Sequence, residues 1–386
     1  MKGNGVTSNS NPLRRVGALF DGARDWWEHA RSWQRYLVYL AAIAFALVLP
    51  APWIGSFMSP GADWTTVLIY PIGTYILLAV GLNVVVGQAG LLDLGFVAFF
   101  AIGGYSVAYF GTNPDFKWGV WIAIGFGILM AAVSGVILGA PTLRLRGDYL
   151  AIVTLGFGEI VRITANNTDA IGGARGITNI PHPNFFGFQF KLDAAPYYYL
   201  MIAAIVLVII FSVRLQKSRV GRAWAAIRED EDAAELMGVP TFKFKLLAFA
   251  IGAMIGGLAG GIYASKAVFI EPNTFPFILS ATILAAVVLG GAGNLPGVIL
   301  GAFVIAWLPE RFRESAWLEE KLGESPAEYR ILLFGAVLVL MMALRPEGLL
   351  PSRRRKAELH EGTGGMGTMG AEVPGPDTEV STEAAK

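Results

Sequence analysis

The sequence predicts an all-α protein whose helices cross a membrane about ten times. Hydrophobic residues make up 54% of the 386 positions and charged residues only 15%, whereas soluble domains carry about 25% charged residues. Several apolar runs exceed about 18 residues, which is long enough for a helix to cross a hydrocarbon core ~30 Å thick. These two observations together predict a polytopic α-helical membrane protein.

Composition also excludes several kinds of site. The chain has no cysteine, so disulfides, thiolate metal sites and cysteine nucleophiles are excluded together. His29, His182 and His360 are far apart in the sequence, and we therefore expect no histidine metal cluster. The net charge of +1 gives no indication of a nucleic-acid partner. We expect neither a metal nor another cofactor.

The chain divides into a polar start, a membrane domain and a polar tail. Residues 1–35 are basic and predict a cytoplasmic N-terminal segment, and residues 36–350 form the membrane domain. Residues 351–386 lack periodicity and predict a disordered cytoplasmic tail. The predicted spans are 36–57, 64–86, 91–110, 118–140, 148–166, 197–213, 246–268, 277–290, 296–309 and 330–344.

The eighth and ninth spans are short and are joined by a glycine-rich connection at 290–294. Two interpretations are open, namely two thin but complete spans or a re-entrant pair that neighbouring helices bury.

The distribution of basic residues predicts the orientation. With a cytoplasmic N-terminus, the inner segments 1–35, 144–146, 214–245 and 345–386 hold six, two, seven and six Lys or Arg residues, which is 21 of the 30 in the chain. This bias agrees with the positive-inside rule. We therefore expect the protein to lie in the inner membrane with both termini in the cytoplasm. The loop 167–196 is then external and forms a lid or a rim that faces a partner.

The polar loop 214–245 is the most distinctive inner segment. Gly221–Gly238 is predicted to form one helix, with Arg228 and Asp232 as an i,i+4 ion pair. Gly238 and the following Pro240 would end this helix. The residues expected to share its apolar face are Trp224, Ile227, Ala234 and Met237. The helix either docks a partner or rests on the surface of the membrane.

Few ionisable groups lie within the predicted spans. Asp93 lies near the start of the third span and, as an isolated carboxylate, is a candidate for the translocation path. Glu159 and Arg162 are three residues apart on one predicted helix and can neutralise each other. This pair is either part of the path or a structural ion pair that fixes its helix.

Small residues give two spans flat faces. Gly252, Gly256 and Gly260 recur every four residues, and Gly297 and Gly301 repeat the pattern. Such faces let helix backbones approach closely, and we expect them to pack within the chain rather than to form a dimer.

The sequence contains no motif that would power or catalyse a reaction. It has no phosphate-binding loop of the Gly-x-x-x-x-Gly-Lys-Ser/Thr type, no His-Glu-x-x-His and no Gly-x-Ser-x-Gly. No chain of carboxylates and histidines crosses the spans as a proton relay. If the protein pumps a solute, the energy comes from another polypeptide, and the loop 214–245 is the expected point of contact.

One internal echo is present. Residues 84–90 read VVVGQAG and residues 287–293 read VVLGGAG, and both fall at predicted cytoplasmic ends of spans. Such repeats are common in transporters, although a chain rich in glycine and valine can also produce them by chance.

Four blocks resemble one family. Asp232-Ala233-Ala234-x-x-x-Gly238 resembles the coupling motif Glu-Ala-Ala-x-x-x-Gly of ABC importer permeases, with aspartate in place of glutamate. The blocks 87–99, 143–160 and 290–302 look like signatures of the branched-chain amino acid permease family, in the family's order. The resemblance covers residues 36–350 and points to the M-type permease subunit.

The resemblance implies a type II-like permease without enzymatic activity of its own. Expected partners are a second homologous permease, two cytoplasmic ABC ATPases, a periplasmic or lipid-anchored amino-acid-binding protein and membrane lipid. The ATPase-coupling residues would be Arg228, Glu231, Asp232, Ala233, Ala234 and Gly238. Candidates for the translocation path are Gly90, Asp93, Gly95, Glu159, Arg162 and Gly293. The path role of Asp93 is a hypothesis that the resemblance does not establish.

Two alternatives stay open. One is a permease of the same superfamily for urea or short-chain amides, which competition between substrates would distinguish. The other is a self-contained channel or secondary carrier, which would move substrate without an ATPase.

Overall fold

The computed structural model describes most of the membrane domain. The described residues are 44–51, 54–55, 63–115, 118–143, 148–185, 187–313 and positions 335, 336, 339, 349 and 350. The predicted N-terminal segment 1–35, the tail 351–386, and most of the first and tenth spans lie outside these residues. Arg144 and Arg146 also lie outside them.

The described part of the chain is almost entirely helical. Its helices are α1 Trp64–Gln88, α2 Val97–Thr112, α3 Val120–Thr142, α4 Asp148–Asn167, α5 Ala194–Gln216, α6 Arg219–Glu229, α7 Glu231–Leu236, α8 Thr241–Ala267, α9 Phe277–Gly290 and α10 Leu295–Arg313. One short hairpin joins β1 Asn184–Phe185 to β2 Phe188–Gln189. The all-α prediction is confirmed.

Five of the described helices are long and apolar enough to cross a membrane. They are α1, α3, α5, α8 and the segment Pro272–Gly290, which extends α9. Helix α2 is apolar but shorter. The total of ten spans stays a prediction, because the first and the tenth fall largely outside the described residues.

One predicted boundary is wrong. The third span was expected to begin at residue 91, but α2 begins at Val97, and residues 89–96 form a mostly buried connection without helical structure. The reason is local, since Gly90 adopts a left-handed conformation (φ +73°) that an ordinary helix does not tolerate. An apolar sequence alone does not reveal this turn.

Helix α8 lies at the centre of the fold and packs against α1, α2 and α3. Its glycines make the close approach possible. A Cβ atom on Gly260 would lie 2.0 Å from the carbonyl oxygen of Phe100, and one on Gly103 would lie 2.1 Å from that of Gly257. The glycine face of α8 therefore packs within the chain, as the sequence predicts.

Helices α9 and α10 form an antiparallel pair that packs against α1. Their crossing is also a contact between glycines, because a Cβ on Gly297 would lie 2.2 Å from the carbonyl oxygen of Gly290. A Cβ on Gly301 would lie 2.3 Å from the carbonyl oxygen of Ala286. The second small-residue face is thus used inside the chain as well.

The segment between α4 and α5, predicted to be external, is fixed to the helices. Ile177 and Ile270 form an antiparallel backbone bridge. Lys266 Nζ donates to the carbonyl oxygen of Leu192 at 2.8 Å, and Trp121 Nε1 donates to that of Asn184 at 2.7 Å. The loop held by these bonds lies at one end of the molecule, and the polar segment between α5 and α8 lies at the other end.

The glycine contacts of α8 predict a sharp difference between two substitutions. Gly260→Leu should destabilise the protein by about 1–3 kcal/mol or more, because the side chain has to displace the backbone of α2. Gly125→Leu is the matched control, since Gly125 is exposed on α3 and a Cβ there meets no atom within 4 Å. Thermal unfolding in mild detergent measures both, and equal melting temperatures for the two variants would contradict this packing.

Candidate functional site

The polar segment between α5 and α8 forms two short helices. Ser218 caps α6, and its hydroxyl accepts hydrogen bonds from the backbone N–H groups of Val220 (3.1 Å) and Gly221 (3.4 Å). Asp230 has extended backbone (φ −155°, ψ 112°) and caps α7, with its Oδ1 accepting from Ala233 N at 3.0 Å. The single helix predicted over Gly221–Gly238 is therefore wrong, because the Asp230 side chain starts a second helix.

Helix α6 is attached to the membrane domain through one side. Trp224 is fully buried, and its Nε1 donates to the carbonyl oxygen of Phe244 near the start of α8 at 2.7 Å. Ile227 and Ala234 are buried beside it. Buried Lys245 of α8 forms an ion pair with Glu231 of α7. The indole and this ion pair fix both short helices on α8.

Met237 does not join the apolar face that the sequence predicted. Its side chain is 85% exposed, and that of Leu236 is 88% exposed. The break at Asp230 changes the direction of the chain, and Gly238 (φ +85°) then ends α7. The side chains of Leu236 and Met237 are thus exposed to solvent at the tip of the polar segment. The helical periodicity of the sequence did not predict this exposure.

The six predicted coupling residues divide into two groups. Arg228, Glu231 and Ala234 contact the rest of the protein. Asp232, Ala233 and Gly238 are exposed on the outer side of α7, and a Cβ on Gly238 would meet no atom within 4 Å. The outward residues and the exposed apolar tip form one continuous surface, here called the α7 surface (residues 232, 233 and 236–238).

Arg228 points from α6 to two glycine-rich connections that lie side by side. The first glycine turn is residues 87–90 at the end of α1, and the second is residues 290–293 at the end of α9. Arg228 Nη1 donates to the carbonyl oxygen of Gly87. Asn83 Oδ1 in α1 accepts from the backbone N–H of Gly293 at 2.8 Å. The two halves of the internal echo therefore meet at the same end of the molecule, next to α6.

A cavity of about 500 Å³ opens beside these turns. Its lining residues are Val86, Gly90, Leu92, Arg228, Glu229, Val288 and Ala292. The volume lies in the range of about 300–1,000 Å³ that is typical of small-molecule sites. Apolar side chains from both halves of the internal echo line the cavity, and α6 contributes the charged residues Arg228 and Glu229.

Asp93 is fully buried in the connection between the first glycine turn and α2. Its Oδ1 accepts from Gly95 N at 2.8 Å, whereas Oδ2 accepts no hydrogen bond from the described residues. Gly95 packs on α4, where a Cβ would lie 1.9 Å from the carbonyl oxygen of Thr154. Asp93 and Gly95 are thus brought together at a tight crossing with α4, apart from the wall of the cavity.

The other predicted path residues lie in two places. Arg162 Nη2 is 2.8 Å from Glu159 Oε2, and both side chains are about one-third exposed (32% and 31%). Their ion pair lies within α4, as the spacing indicated. Gly293 (φ +89°) instead lies against Arg228, whose Nη1 would be 2.9 Å from a Cβ at that position. In the described structure, the six predicted path residues therefore do not line one passage.

The opposite end of the molecule carries an ordered histidine. His182 Nδ1 is 2.7 Å from the hydroxyl of Tyr197, which donates to the carbonyl oxygen of Ser265 at 2.7 Å. Partial burial, reinforced by nearby Lys266, lowers the pKa of His182 below its ordinary value. The lowered pKa favours the neutral imidazole. In that form Nδ1 would donate to the tyrosine hydroxyl, whose own hydrogen is directed at Ser265.

Comparison with known proteins agrees with this architecture. The family model described as branched-chain amino acid transport system / permease component matches residues 65–342. The high-affinity branched-chain amino acid transport system permease protein LivM of Escherichia coli K12 is 42% identical over 311 residues, which covers 75% of this chain and 70% of that protein. LivM of Salmonella typhimurium is 42% identical over the same shares of the two chains.

A second type of relative is also similar. The permease protein LivH of Salmonella typhimurium is 26% identical over 294 residues, covering 72% of this chain and 91% of LivH. No solved structure matches the chain. The family match over most of the membrane domain, together with the helices that form it, shows that this chain belongs to the family of branched-chain amino acid transport permease components.

Proposed function

We propose that this protein is the M-type permease subunit of an ATP-driven importer for branched-chain amino acids in the inner membrane. The observation that carries the proposal is the 42% identity to LivM over three-quarters of the chain. The α7 surface supports it, since large apolar side chains exposed at the tip of a polar segment are typical of a surface that contacts a partner or a membrane.

The complex that we propose has five or more chains. The similarity to both LivM and LivH supports a pair of related permeases, with this chain as one member. Two cytoplasmic ATPases would supply the energy, and one of them would dock on the α7 surface. A periplasmic or lipid-anchored binding protein would deliver leucine, isoleucine or valine to the opposite end.

The proposed orientation follows from this assignment. The polar segment, both glycine turns and both termini would be cytoplasmic, in agreement with the basic residues of segment 214–245. The loop 167–196, which contains His182 and is fixed to the helices, would face the binding protein.

The proposed mechanism is alternating access. Binding of ATP would bring the ATPases together, and the α7 surface would move with them. Transport needs the two permease conformations to bind the partners with different free energies, because a ligand that binds both equally shifts no population. The cavity beside the glycine turns offers apolar surface that suits the side chain of a branched aliphatic amino acid. Arg228 and Glu229 contribute to its polar surface, which is nearly as extensive. We propose that the substrate leaves through this region. Asp93, in the connection before α2, and the Glu159–Arg162 pair of α4 stay candidates for other parts of the path.

The docking role of the α7 surface is tested by placing a charge on it. Met237→Glu should weaken association with the ATPases by roughly tenfold or more, because a carboxylate would be buried at an apolar contact. Leu192→Glu is the matched control, since Leu192 is 70% exposed at the other end of the molecule. Co-purification of the tagged chain with its ATPases measures the effect. Equal association of both variants would refute the docking role.

The substrate class is tested by competition in proteoliposomes that contain the complete transporter. We expect unlabelled isoleucine and valine to reduce ATP-dependent uptake of radioactive leucine in proportion to their concentration, with urea having no effect at the same concentrations. Uptake blocked by urea would favour the amide-permease alternative. Uptake that continues with this chain alone and no ATPase would favour a self-contained carrier.

A further inference from the structure

The contact between α6 and the two glycine turns is specific in its geometry. Three glycines surround the Arg228 side chain. A Cβ on Gly90 would lie 2.9 Å from Arg228 Cγ, and one on Gly293 would lie 2.9 Å from Arg228 Nη1. The third, Gly87, provides the carbonyl oxygen that the guanidinium binds. A larger residue at Gly90 or Gly293 would push Arg228 away.

The second turn is also bonded to the last part of α1, which leads into the first turn. Asn83 is fully buried, and its Oδ1 binds the Gly293 N–H. A Cβ on Gly87 would lie 1.9 Å from this oxygen and 2.5 Å from Gly293 N, so the absence of a side chain at Gly87 permits the bond. Helix α6 is thus bonded to the first turn, and the second turn is bonded to α1 four residues before Gly87.

The same region has buried polar atoms without partners. Neither the oxygen nor the nitrogen of the Gln88 side chain has a hydrogen-bond partner among the described residues, and the same holds for Asn83 Nδ2 and Asp93 Oδ2. A buried polar group that is left unpaired costs about 1–3 kcal/mol. Each such group calls for an explanation, and a partner that is gained in a second conformation is the explanation used here.

We infer that Arg228 is a positioning residue that transmits movement of the polar segment to both glycine turns at once. This inference rests on the proposed importer function. It adds the residue through which movement of the polar segment would be transmitted. Helix α6 cannot shift along α1 without either losing the Arg228–Gly87 bond or carrying the first turn with it. The Asn83–Gly293 bond then carries the second turn, so the ends of α1 and α9 move together beside the cavity.

Arg228 is well suited to this role because its guanidinium is planar, permanently charged and rich in donors. The rigid attachment of α6 through Trp224 holds the other end of the side chain in place. A purely structural arginine would stabilise the fold without affecting how the turns respond to ATP. That difference separates the two roles experimentally.

The experiment uses the complete transporter in proteoliposomes and single cysteines in this cysteine-free chain. Leu92→Cys reports on the first turn, since Leu92 lines the cavity and is 40% exposed, and Val288→Cys reports on the end of α9. Met237→Cys reports on docking at the α7 surface. The rate of modification by a maleimide is measured at each cysteine with and without ATP and vanadate.

Arg228→Gln is compared with Arg222→Gln. Arg222 is an exposed arginine on the same helix, and its Nη1 donates locally to the carbonyl oxygen of Lys217 at 3.2 Å. In Arg228→Gln we expect Met237→Cys to stay protected by the ATPases. The response to ATP at Leu92→Cys and Val288→Cys should be lost, and leucine uptake per ATP should fall about tenfold, the scale of one lost charge-assisted hydrogen bond. Arg222→Gln should keep both responses.

Asn83→Ala provides an independent variant that leaves α6 unaltered, in case Arg228→Gln does not assemble. It should keep the response at Leu92→Cys and lose the response at Val288→Cys. The inference is overturned if both responses persist in Arg228→Gln, if Arg222→Gln loses them equally, or if Asn83→Ala retains the response at Val288→Cys. Failure of the proposed function is a different result, namely an unmodified transporter that shows no ATP-dependent uptake of leucine.

Discussion

The close contact of helix backbones at glycine is the constraint on which the fold depends. Helix α8 reaches α2 at Gly260 and Gly103 with no side chain between the backbones, and α9 reaches α10 in the same way at Gly290. Without a hydrophobic driving force between helices in lipid, such contacts are a main source of association. They leave little freedom inside the described domain, because densely packed elements move as units. We therefore expect movement at the ends of the helices, where the two glycine turns lie.

The polar segment is attached to this domain on one side and exposed on the other. Trp224 and the Lys245–Glu231 ion pair fix it to α8, and Arg228 joins it to the first glycine turn. Its outer side carries a free apolar tip at Leu236 and Met237. A segment with one attached side and one exposed side is suited to receive a force from a partner and to transmit it to the membrane domain. The chain has no phosphate-binding motif of its own, so the force in the proposed importer comes from the ATPases.

Much of the fold follows from the sequence, because apolar runs of membrane-spanning length are a strong signal. The runs at 64–86, 118–140, 197–213 and 246–268 are helices in the structure. The start of α2 and the break at Asp230 were missed, since each depends on one residue, a left-handed Gly90 and a capping aspartate. An aspartate three residues before Ala233 was a usable signal for the second helix. The bond from Arg228 to Gly87 joins residues 141 positions apart, and periodicity carries no information about it.

The central claim is that the polar segment is where this permease meets its source of energy. Hydrogen–deuterium exchange measured on the permease pair alone and on the complete transporter tests this claim most directly. The account predicts that the ATPases slow exchange at residues 229–240 and leave the loop 167–196 unchanged. Unchanged exchange at 229–240, or slowing by the ATPases at 167–196 instead, would contradict it.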